Sequence, residues 1–286
     1  IMWHEINQEV SNKRITYSII FSNEDSRIGV GLADLMFSYG RTTDIEWMYE
    51  VLLGSNGDIL SEIFQGASHI TTDFQGNKIG RHPILKNATL NCNFTDEGTS
   101  DYKFFLSPLF TTIDNHTQEI LMDENPWSYR IMAEELINED RYETLADPES
   151  VEISDVRNYL YLEYGGSISG QNIALEIATN FIGNCNIYVH HHHYPDFSYG
   201  YNGGVDRTSI ELPENFDPLE LYKLGFISSG NDNYTLSINT ISRLFYLDEE
   251  YMPIDLDIDF TPFSISSSDP ERWLELNENT QNMDCF

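Results

Sequence analysis

Alternating apolar and polar residues dominate this chain, and the pattern predicts β-strands along most of its length. The clearest alternation covers residues 44–53. One face of this strand is expected to carry Ile45, Trp47, Tyr49, Val51 and Leu53. The other face is expected to carry Asp44, Glu46, Met48 and Glu50. The sequence Ser55-Asn56-Gly57-Asp58 then predicts a turn into a second strand at 59–65, and therefore a β-hairpin.

The same alternation recurs in both halves of the chain. It predicts further strands at 14–21, 159–164, 173–179, 186–191, 207–212, 234–247 and 254–260. Apolar runs at 84–94 and 102–110 complete a β-rich first half. Most of the chain is therefore expected to lie in antiparallel sheets.

Helical spacing of apolar residues is clear in one place, residues 127–141, where Asn125 suits the N-cap and Pro126 the first turn. A short helix is also expected to begin at Asp217-Pro218 and to end at Gly225. These elements predict an all-β fold, with antiparallel β-sandwich or jelly-roll sections and one connecting α-helix. We expect a β-rich section at 1–124, the helix within 125–146, and a jelly-roll-like section at 147–286.

Charge restricts the partners of this protein. The 286 residues include 47 Asp and Glu but only 15 Lys and Arg, a formal net charge of −32. A nucleic acid or an anionic bilayer needs a basic face, so neither partner is expected, and no apolar stretch is long enough to insert into a membrane. Carboxylates attract hard cations, and Ca²⁺ is the expected cofactor. An acidic solvated surface with no specific ion is the alternative.

Export is the expected localisation, because salt or calcium outside the cell would screen the repulsion between so many carboxylates. Position 1 is Ile and not an initiator Met, and residues 1–10 contain no basic segment followed by an apolar run, so we expect a processed or excerpted chain. Cys92, Cys185 and Cys285 are an odd number in no C-x-x-C spacing, which argues against a zinc site. One disulfide with a free thiol and three reduced thiols both remain open.

Asp44 and Glu46 lie two residues apart on the predicted polar face of one strand. Two neighbouring carboxylates repel each other unless a cation, an arginine or a shared proton compensates them. Arg41, just upstream, is one candidate for that compensation. The pair is therefore either part of a metal site or a salt-bridged, solvated strand face.

The sequence around this pair resembles two families. The first resemblance is to a core of uncharacterised exported bacterial proteins, and it rests on Gly40-Arg41-Thr42-Thr43-Asp44-Ile45-Glu46-Trp47, then Phe64-Gln65-Gly66 with His69, then Gly80-Arg81-His82-Pro83. An Asp-x-Glu followed by a His-Pro is also similar to the necrosis-inducing-protein family, β-sandwich cytolysins that hold a divalent cation. The heptapeptide of that family, Gly-His-Arg-His-Asp-Trp-Glu, has histidines where this chain has Arg41 and Thr43. The resemblance therefore implies metal binding only for Asp44 and Glu46.

Two histidines extend this candidate site. His69 and His82 would supply imidazole ligands or general bases if the fold brought them beside Asp44 and Glu46. Such a set predicts a metal-dependent hydrolase or lyase. The other expectation for each histidine is an ordinary turn or core residue.

The run His190-His191-His192-His193 is a second candidate metal site. Alternate imidazoles of an extended segment share a side, so His190 and His192 form a possible ligand pair for Zn²⁺, Cu²⁺ or Ni²⁺, with a solvated loop as the alternative. Just downstream, Tyr194, Tyr199 and Tyr201 are candidates for stacking on sugar rings, with packing of a long loop as the alternative. The strand pattern of the second half is similar to jelly-roll carbohydrate-binding modules.

These features predict an exported acidic protein of the cell surface or extracellular matrix that binds glycan or assembles with protein partners, with calcium involved. A metal-dependent hydrolase or lyase of extracellular polysaccharide, through Asp44, Glu46, His69 and His82, is one alternative. A structural subunit of a filament or surface layer is another. A P-loop, a dinucleotide fingerprint, a serine elbow and a catalytic-cysteine signature are all missing from the sequence, so no organic cofactor is expected.

Overall fold

The structure is a computed structural model that describes residues 1–24, 31–106, 108–143, 152–171, 173–190, 200–230 and 233–276. Strands make up 48% of it and helices 14%, so the all-β prediction is confirmed. The chain divides into two compact units. Unit 1 combines Ile1–Gly29 with Thr42–Asp114, and unit 2 combines Val30–Arg41 with Asn115–Phe286. Within the described ranges no helix has both the length and the apolar character needed to cross a bilayer.

Unit 1 is built on a six-stranded sheet with the order β10-β1-β2-β3-β4-β5. Its strands are β1 (Met2–Glu9), β2 (Asn12–Ile20), β3 (Ile45–Leu53), β4 (Ile59–Gly66), β5 (Ile70–Asp73), β6 (Lys78–Ile79), β7 (His82–Pro83), β8 (Lys86–Asn87), β9 (Phe94–Thr95) and β10 (Leu109–Phe110). Strands β1 and β10 run parallel to each other. The pairs β1–β2, β2–β3, β3–β4 and β4–β5 are antiparallel. The predicted hairpin is confirmed as β3 and β4.

A β-bulge in β3 reverses the predicted face of its first residues. Tyr17 of β2 pairs with Tyr49 and Ile19 pairs with Glu46, so β3 has one extra residue between these pairs. Directly paired residues project from the same face of an antiparallel sheet. Glu46 therefore shares the face of Tyr17 and Tyr49 that packs against the apolar core of unit 1. The prediction that Glu46 lies opposite Tyr49 is wrong, because regular alternation cannot anticipate a bulge.

In the residues of unit 2 that the structure describes, there are three α-helices and two antiparallel sheets. The helices are α1 (Leu32–Tyr39), α2 (Ile120–Glu124) and α3 (Trp127–Asn138). The strands are β11 (Tyr159–Ser169), β12 (Ile173–Phe181), β13 (Asn184–Val189), β14 (Gly204–Glu211), β15 (Leu221–Gly230), β16 (Thr235–Leu247), β17 (Pro253–Asp255), β18 (Phe263–Ser266) and β19 (Glu271–Glu275). One sheet has the order β14-β11-β16-β17, with β18 also on β16, and the other has the order β13-β12-β15-β19.

The main core of unit 2 lies between these two sheets. It includes Leu160 and Leu162 of β11, Ile177 of β12 and Phe226 of β15. The sheets therefore pack as a β-sandwich. The other face of β11 is also buried, because Tyr161 stacks on Phe245 of β16 and contacts Tyr129 of α3.

The helix predictions have mixed outcomes. Helix α3 confirms the predicted helix at 127–141, although it ends at Asn138 and belongs to unit 2. Helices α1 and α2 were not predicted. The helix expected from Asp217 to Gly225 is wrong beyond one 3₁₀ turn, Pro218–Glu220, because β15 begins at Leu221 and passes through Gly225. A Cβ at Gly225 would lie 2.6 Å from the Trp273 ring, which explains a glycine in mid-strand.

The strand predicted at 254–260 is regular only in β17, which ends at Asp255. Its alternation nevertheless continues beyond that residue. Leu256, Ile258 and Phe260 pack against the sandwich core, whereas Asp257 and Asp259 are exposed. The pattern therefore predicted which side chains are buried better than it predicted the backbone hydrogen bonds.

Candidate functional site

Glu46 lies at the centre of a buried polar cluster in unit 1. Its Oε2 accepts a hydrogen bond from Gln65 Nε2 at 2.5 Å, and its Oε1 accepts one from Asn93 Nδ2 at 3.4 Å. Strand β3 supplies Glu46, the end of β4 supplies Gln65, and the residue before β9 supplies Asn93. All three side chains are buried. We call Glu46, Gln65, His69, Asn91 and Asn93 the Glu46 cluster.

His69 brings a half-exposed imidazole to this cluster. It ends the 3₁₀ turn Ala67–His69, in which Ser68 and His69 have left-handed φ angles of 58° and 59°. His69 Nδ1 lies 3.3 Å from Glu46 Oε1 and 2.6 Å from Gln65 Nε2. The strained turn therefore holds an imidazole against a buried carboxylate, an arrangement found in acid–base sites.

Side-chain amides contact both ring nitrogens of His69. Gln65 Nε2 contacts Glu46 Oε2 and His69 Nδ1, and Asn93 Nδ2 lies 3.5 Å from the same ring nitrogen. Asn91 Nδ2 lies 3.0 Å from His69 Nε2. These contacts fix the orientation of the ring beside Glu46.

Asp44 and Cys92 lie beside the Glu46 cluster. Both side chains are buried, and Cys92 has a left-handed φ of 47°. Burial, followed by the charge and hydrogen bonding of Asp44, raises the pKa of the Cys92 thiol to about 12, although the Asn87 hydrogen bond acts in the opposite direction. Because both Asp44 and Glu46 are buried, the alternative of a solvated strand face is wrong.

Cys92 is expected to resist alkylation in the folded protein. It is a free cysteine, and with a pKa of about 12 it is almost entirely the unreactive thiol at pH 8. Iodoacetamide should leave the Cys92 peptide unmodified in buffer and modify it fully in urea, as measured by mass spectrometry of digested protein. Rapid modification of Cys92 in the native chain would contradict the buried placement.

The structure does not add His82 to this cluster. His82 lies on β7 with an exposed side chain, and its ring contacts Phe105. It takes no part in the hydrogen bonds that join His69 to Glu46, Gln65, Asn91 and Asn93. Arg41 forms an ion pair with Glu119 inside unit 2, at 2.6 Å. Three of the four predicted catalytic candidates, Asp44, Glu46 and His69, therefore gather in one place.

The second group of predicted residues is largely outside the described residues. His192, Tyr194 and Tyr199 lie there. His190 is buried, and its Nδ1 accepts a hydrogen bond from the backbone N–H of Ile177 at 3.0 Å. Tyr201 is buried in the sandwich core, and its hydroxyl donates to the Gly204 carbonyl at 2.7 Å. The sugar-stacking prediction is therefore wrong for Tyr201, because its ring faces are covered by protein.

The described side chains of His, Cys, Asp and Glu include no group of three or more arranged to hold a metal ion. Acidic residues do gather around a cavity of about 680 Å³ in unit 2. Its lining includes the carboxylates of Glu143, Asp155, Glu214, Asp248 and Glu249. Arg157, which also lines it, is paired with Asp155 at 2.6 Å.

Unit 1 also has a run of highly exposed aromatic side chains. The exposed fractions are 81% for Tyr102, 84% for Phe104, 69% for Phe105 and 61% for Phe110. We call these four residues the aromatic segment. Only Phe110 of the four lies in a strand, β10 at one edge of the six-stranded sheet. Soluble proteins seldom leave so many neighbouring rings in water without a function for them.

Several of these residues were missed from the sequence. Gln65 and Asn93 are uncharged, and each lies far along the chain from Glu46, so no spacing rule links them. The aromatic segment had a visible signal, four rings within residues 102–110, but we assigned that run to the β-rich first half. Lys103, Ser107 and Pro108 interrupt the run, which is equally consistent with an exposed loop.

Comparison of the chain with protein-family models, with curated proteins and with solved structures finds no match.

Proposed function

We propose that this chain is an exported binding protein whose unit 1 holds neutral glycan chains on the aromatic segment. The observation that carries the proposal is the exposure of Tyr102, Phe104 and Phe105, each more than two-thirds open to solvent. Burying one such ring is worth about 1.5–3 kcal/mol, so a ligand that covers them gains binding energy.

Sugar chains match this surface in two ways. The C–H faces of a sugar ring are apolar and cover an aromatic ring, whereas the hydroxyl groups at its edge require hydrogen-bond partners. Asp101 and Lys103, both exposed, alternate with the rings and offer an acceptor and a donor. The segment therefore combines stacking faces with polar contacts.

Net charge selects among glycans. At −32 the chain repels uronic-acid and sulfated polymers, so neutral glycans are the favoured class. The same charge supports an extracellular location, where calcium and salt screen it. In this proposal calcium acts on the charged surface as a whole, and its removal weakens binding indirectly.

The experiment is a glycan array probed with the wild-type chain and with Phe104→Ala/Phe105→Ala, with calcium and with chelator. We expect wild type to bind neutral glycans, and the double variant to lose about tenfold in affinity or more for each ring. Leu219→Ala is the matched control, because Leu219 is an equally exposed apolar residue of unit 2. It should bind like wild type.

An array blank for wild type would overturn glycan binding. If wild type then self-associated while the double variant stayed monomeric, assembly with protein partners would replace glycan binding as the proposed function.

The metal-dependent hydrolase or lyase stays a prediction, supported by the gathering of Asp44, Glu46 and His69 but not by His82. The structural-subunit alternative also stays a prediction.

A further inference from the structure

A second polar centre lies in unit 2, around the carboxylate of Glu163. This side chain is 1% exposed on β11. Its Oε1 accepts from His116 Nδ1 at 2.8 Å, and its Oε2 accepts from the Thr117 hydroxyl at 2.8 Å and the Thr117 N–H at 3.3 Å. Arg207 Nη1 lies 4.0 Å from Oε2. Buried carboxylates are costly unless held in this way, so the position of Glu163 is fixed.

The hydrogen bond from Nδ1 defines the state of His116. With its proton on Nδ1, the neutral imidazole has its lone pair on Nε2, at the opposite edge of the ring. The His116 side chain is 40% exposed and lines a cavity of about 230 Å³. Glu163 lines the same cavity. His116 therefore offers a proton acceptor, Nε2, beside a cavity open to small molecules, and the Glu163 carboxylate orients the ring through Nδ1.

Ser242 enters this cavity through a β-bulge. Glu163 pairs with Arg243 across β11 and β16, whereas the next residue, Tyr164, pairs with Ile241. Ser242 is the extra residue between these two pairs. Bulges re-aim a side chain, and here Ser242 lines the cavity with His116 and Glu163.

The other residues of the cavity define its chemistry. Arg243 lines it, donates to Asp255 at 2.7 Å and is paired with Asp123. Asp123 and Glu124 are also in the lining, so the cavity disfavours anionic ligands. Its volume of about 230 Å³ equals roughly seven or eight water molecules of about 30 Å³ each, enough for a short acyl group.

We propose that Ser242, His116 and Glu163 form a nucleophile–base–acid set that hydrolyses small, uncharged esters. Ser242 Oγ forms a bond to the ester carbonyl carbon while its proton passes to His116 Nε2, and the C=O electron pair moves onto the carbonyl oxygen. When the carbonyl re-forms, the bond to the alkoxy oxygen breaks and the leaving alcohol takes the proton from Nε2. A water molecule then attacks the carbonyl carbon of the acyl-serine and gives its proton to His116 Nε2. The bond from that carbon to Ser242 Oγ breaks, Oγ takes the proton back from Nε2, and the carboxylic acid is released.

Glu163 and Arg243 support these steps without reacting. Glu163 holds Nδ1–H and stabilises the imidazolium that forms, so it is a positioning residue. The Arg243 guanidinium supplies positive charge beside the developing oxyanion. Ser242 and His116 line one cavity here without a hydrogen bond between them, and such bonds commonly tighten only when substrate binds.

The test uses the full chain, a small alkyl fluorophosphonate probe and p-nitrophenyl acetate. We expect the probe to label Ser242, as located by mass spectrometry, and Ser242→Ala to abolish both labelling and hydrolysis. His116→Ala should lower hydrolysis about 10²–10⁴-fold. Glu163→Gln should lower kcat and leave KM unchanged, a split that a purely structural role would not produce.

Ser237→Ala is the matched control, since Ser237 lies on the same strand and shares a hydrogen bond with the Ser264 hydroxyl at 2.8 Å. It should keep labelling and hydrolysis. Ser242 is exposed, so Ser242→Ala should also keep the wild-type melting temperature. Wild type that is neither labelled nor active would overturn the proposal. Labelling or hydrolysis that persists in Ser242→Ala would overturn it as well. No glycan enters the assay, so its result is independent of the proposed function.

Discussion

Replacing Arg207 with leucine is expected to lower the free energy of unfolding by about 3–5 kcal/mol. Arg207 is 1% exposed in unit 2, and its Nη1 and Nη2 donate to the Asp123 carboxylate at 2.8 and 2.9 Å. The Tyr129 hydroxyl, also buried, contacts the same guanidinium at 2.5 Å. Leucine would leave the buried Asp123 charge with Arg243 as its remaining cationic partner. This weaker compensation of a buried charge is the main cause of the loss.

The loss should depend on pH in a defined direction. Burial raises the pKa of Asp123, but Arg207, through its charge and hydrogen bonds, together with the Arg243 charge and the Tyr129 hydrogen bond brings that pKa below its usual value. A lowered pKa means that Asp123 stabilises the wild-type fold above its unfolded pKa of about 3.9, and that this stabilisation is lost as the pH falls through the folded pKa. In Arg207→Leu the pKa of this carboxyl rises, because Arg207 makes the largest contributions that lower it. The difference between the two proteins should therefore be largest near neutral pH and shrink in acid.

Urea denaturation followed by circular dichroism, at neutral pH and at about pH 3, measures both quantities. Arg130→Leu is the matched control, because Arg130 forms an exposed pair with Glu134, four residues along α3. Exposed helical pairs are worth only about 0.3–0.5 kcal/mol. If Arg207→Leu were as stable as this control, the buried ion pair would not have the structural role assigned to it.

Gly166→Ala is expected to be the second most damaging substitution, costing about 1–3 kcal/mol or more. A Cβ at Gly166 would lie 2.2 Å from the backbone oxygen of Ser237, on the strand paired with β11. A backbone atom in a sheet cannot turn aside as a side chain does. The substitution must therefore push β16 away from β11, in the sheet that forms one layer of the sandwich.

Thermal and urea unfolding of Gly166→Ala measure this cost. Gly200→Ala is the matched control in the same unit, because a Cβ there would meet no atom within 4 Å and its backbone needs no left-handed φ. Alanine at that position should leave stability unchanged or raise it slightly, since it restricts the unfolded chain. Equal stability of the two variants would contradict the close approach of β11 and β16.

Local chemistry explains what the sequence predicted well. Alternation at 173–177 and at 235–238 reflects one buried and one more exposed face, and both regions lie in strands, β12 and β16. The apolar spacing of α3 likewise matches the buried side chains of Tyr129, Met132 and Leu136. Helix α1 was missed because its Leu32, Leu35 and Met36 are all buried in a segment of only eight residues, too short for a helical period to stand out.

The candidate sites depended on long-range placement. Asp44 and Glu46 were identified from their spacing, but the bulge in β3 turned Glu46 into the core face, where Gln65 and Asn93 hold it. His116 and Glu163 are 47 residues apart and carry no motif. Sequence spacing cannot reveal that a loop histidine reaches a carboxylate on a central strand, because the pairing is made by tertiary packing.

The sequence by itself determined an acidic, strand-rich chain whose alternating residues form antiparallel sheets, because each strand records locally which of its faces avoids water. Only the tertiary structure decided which polar groups meet in the interior and which rings stay in water. Those outcomes depend on register, bulges and the approach of distant segments, and one inserted residue is enough to move a carboxylate from the surface to the core.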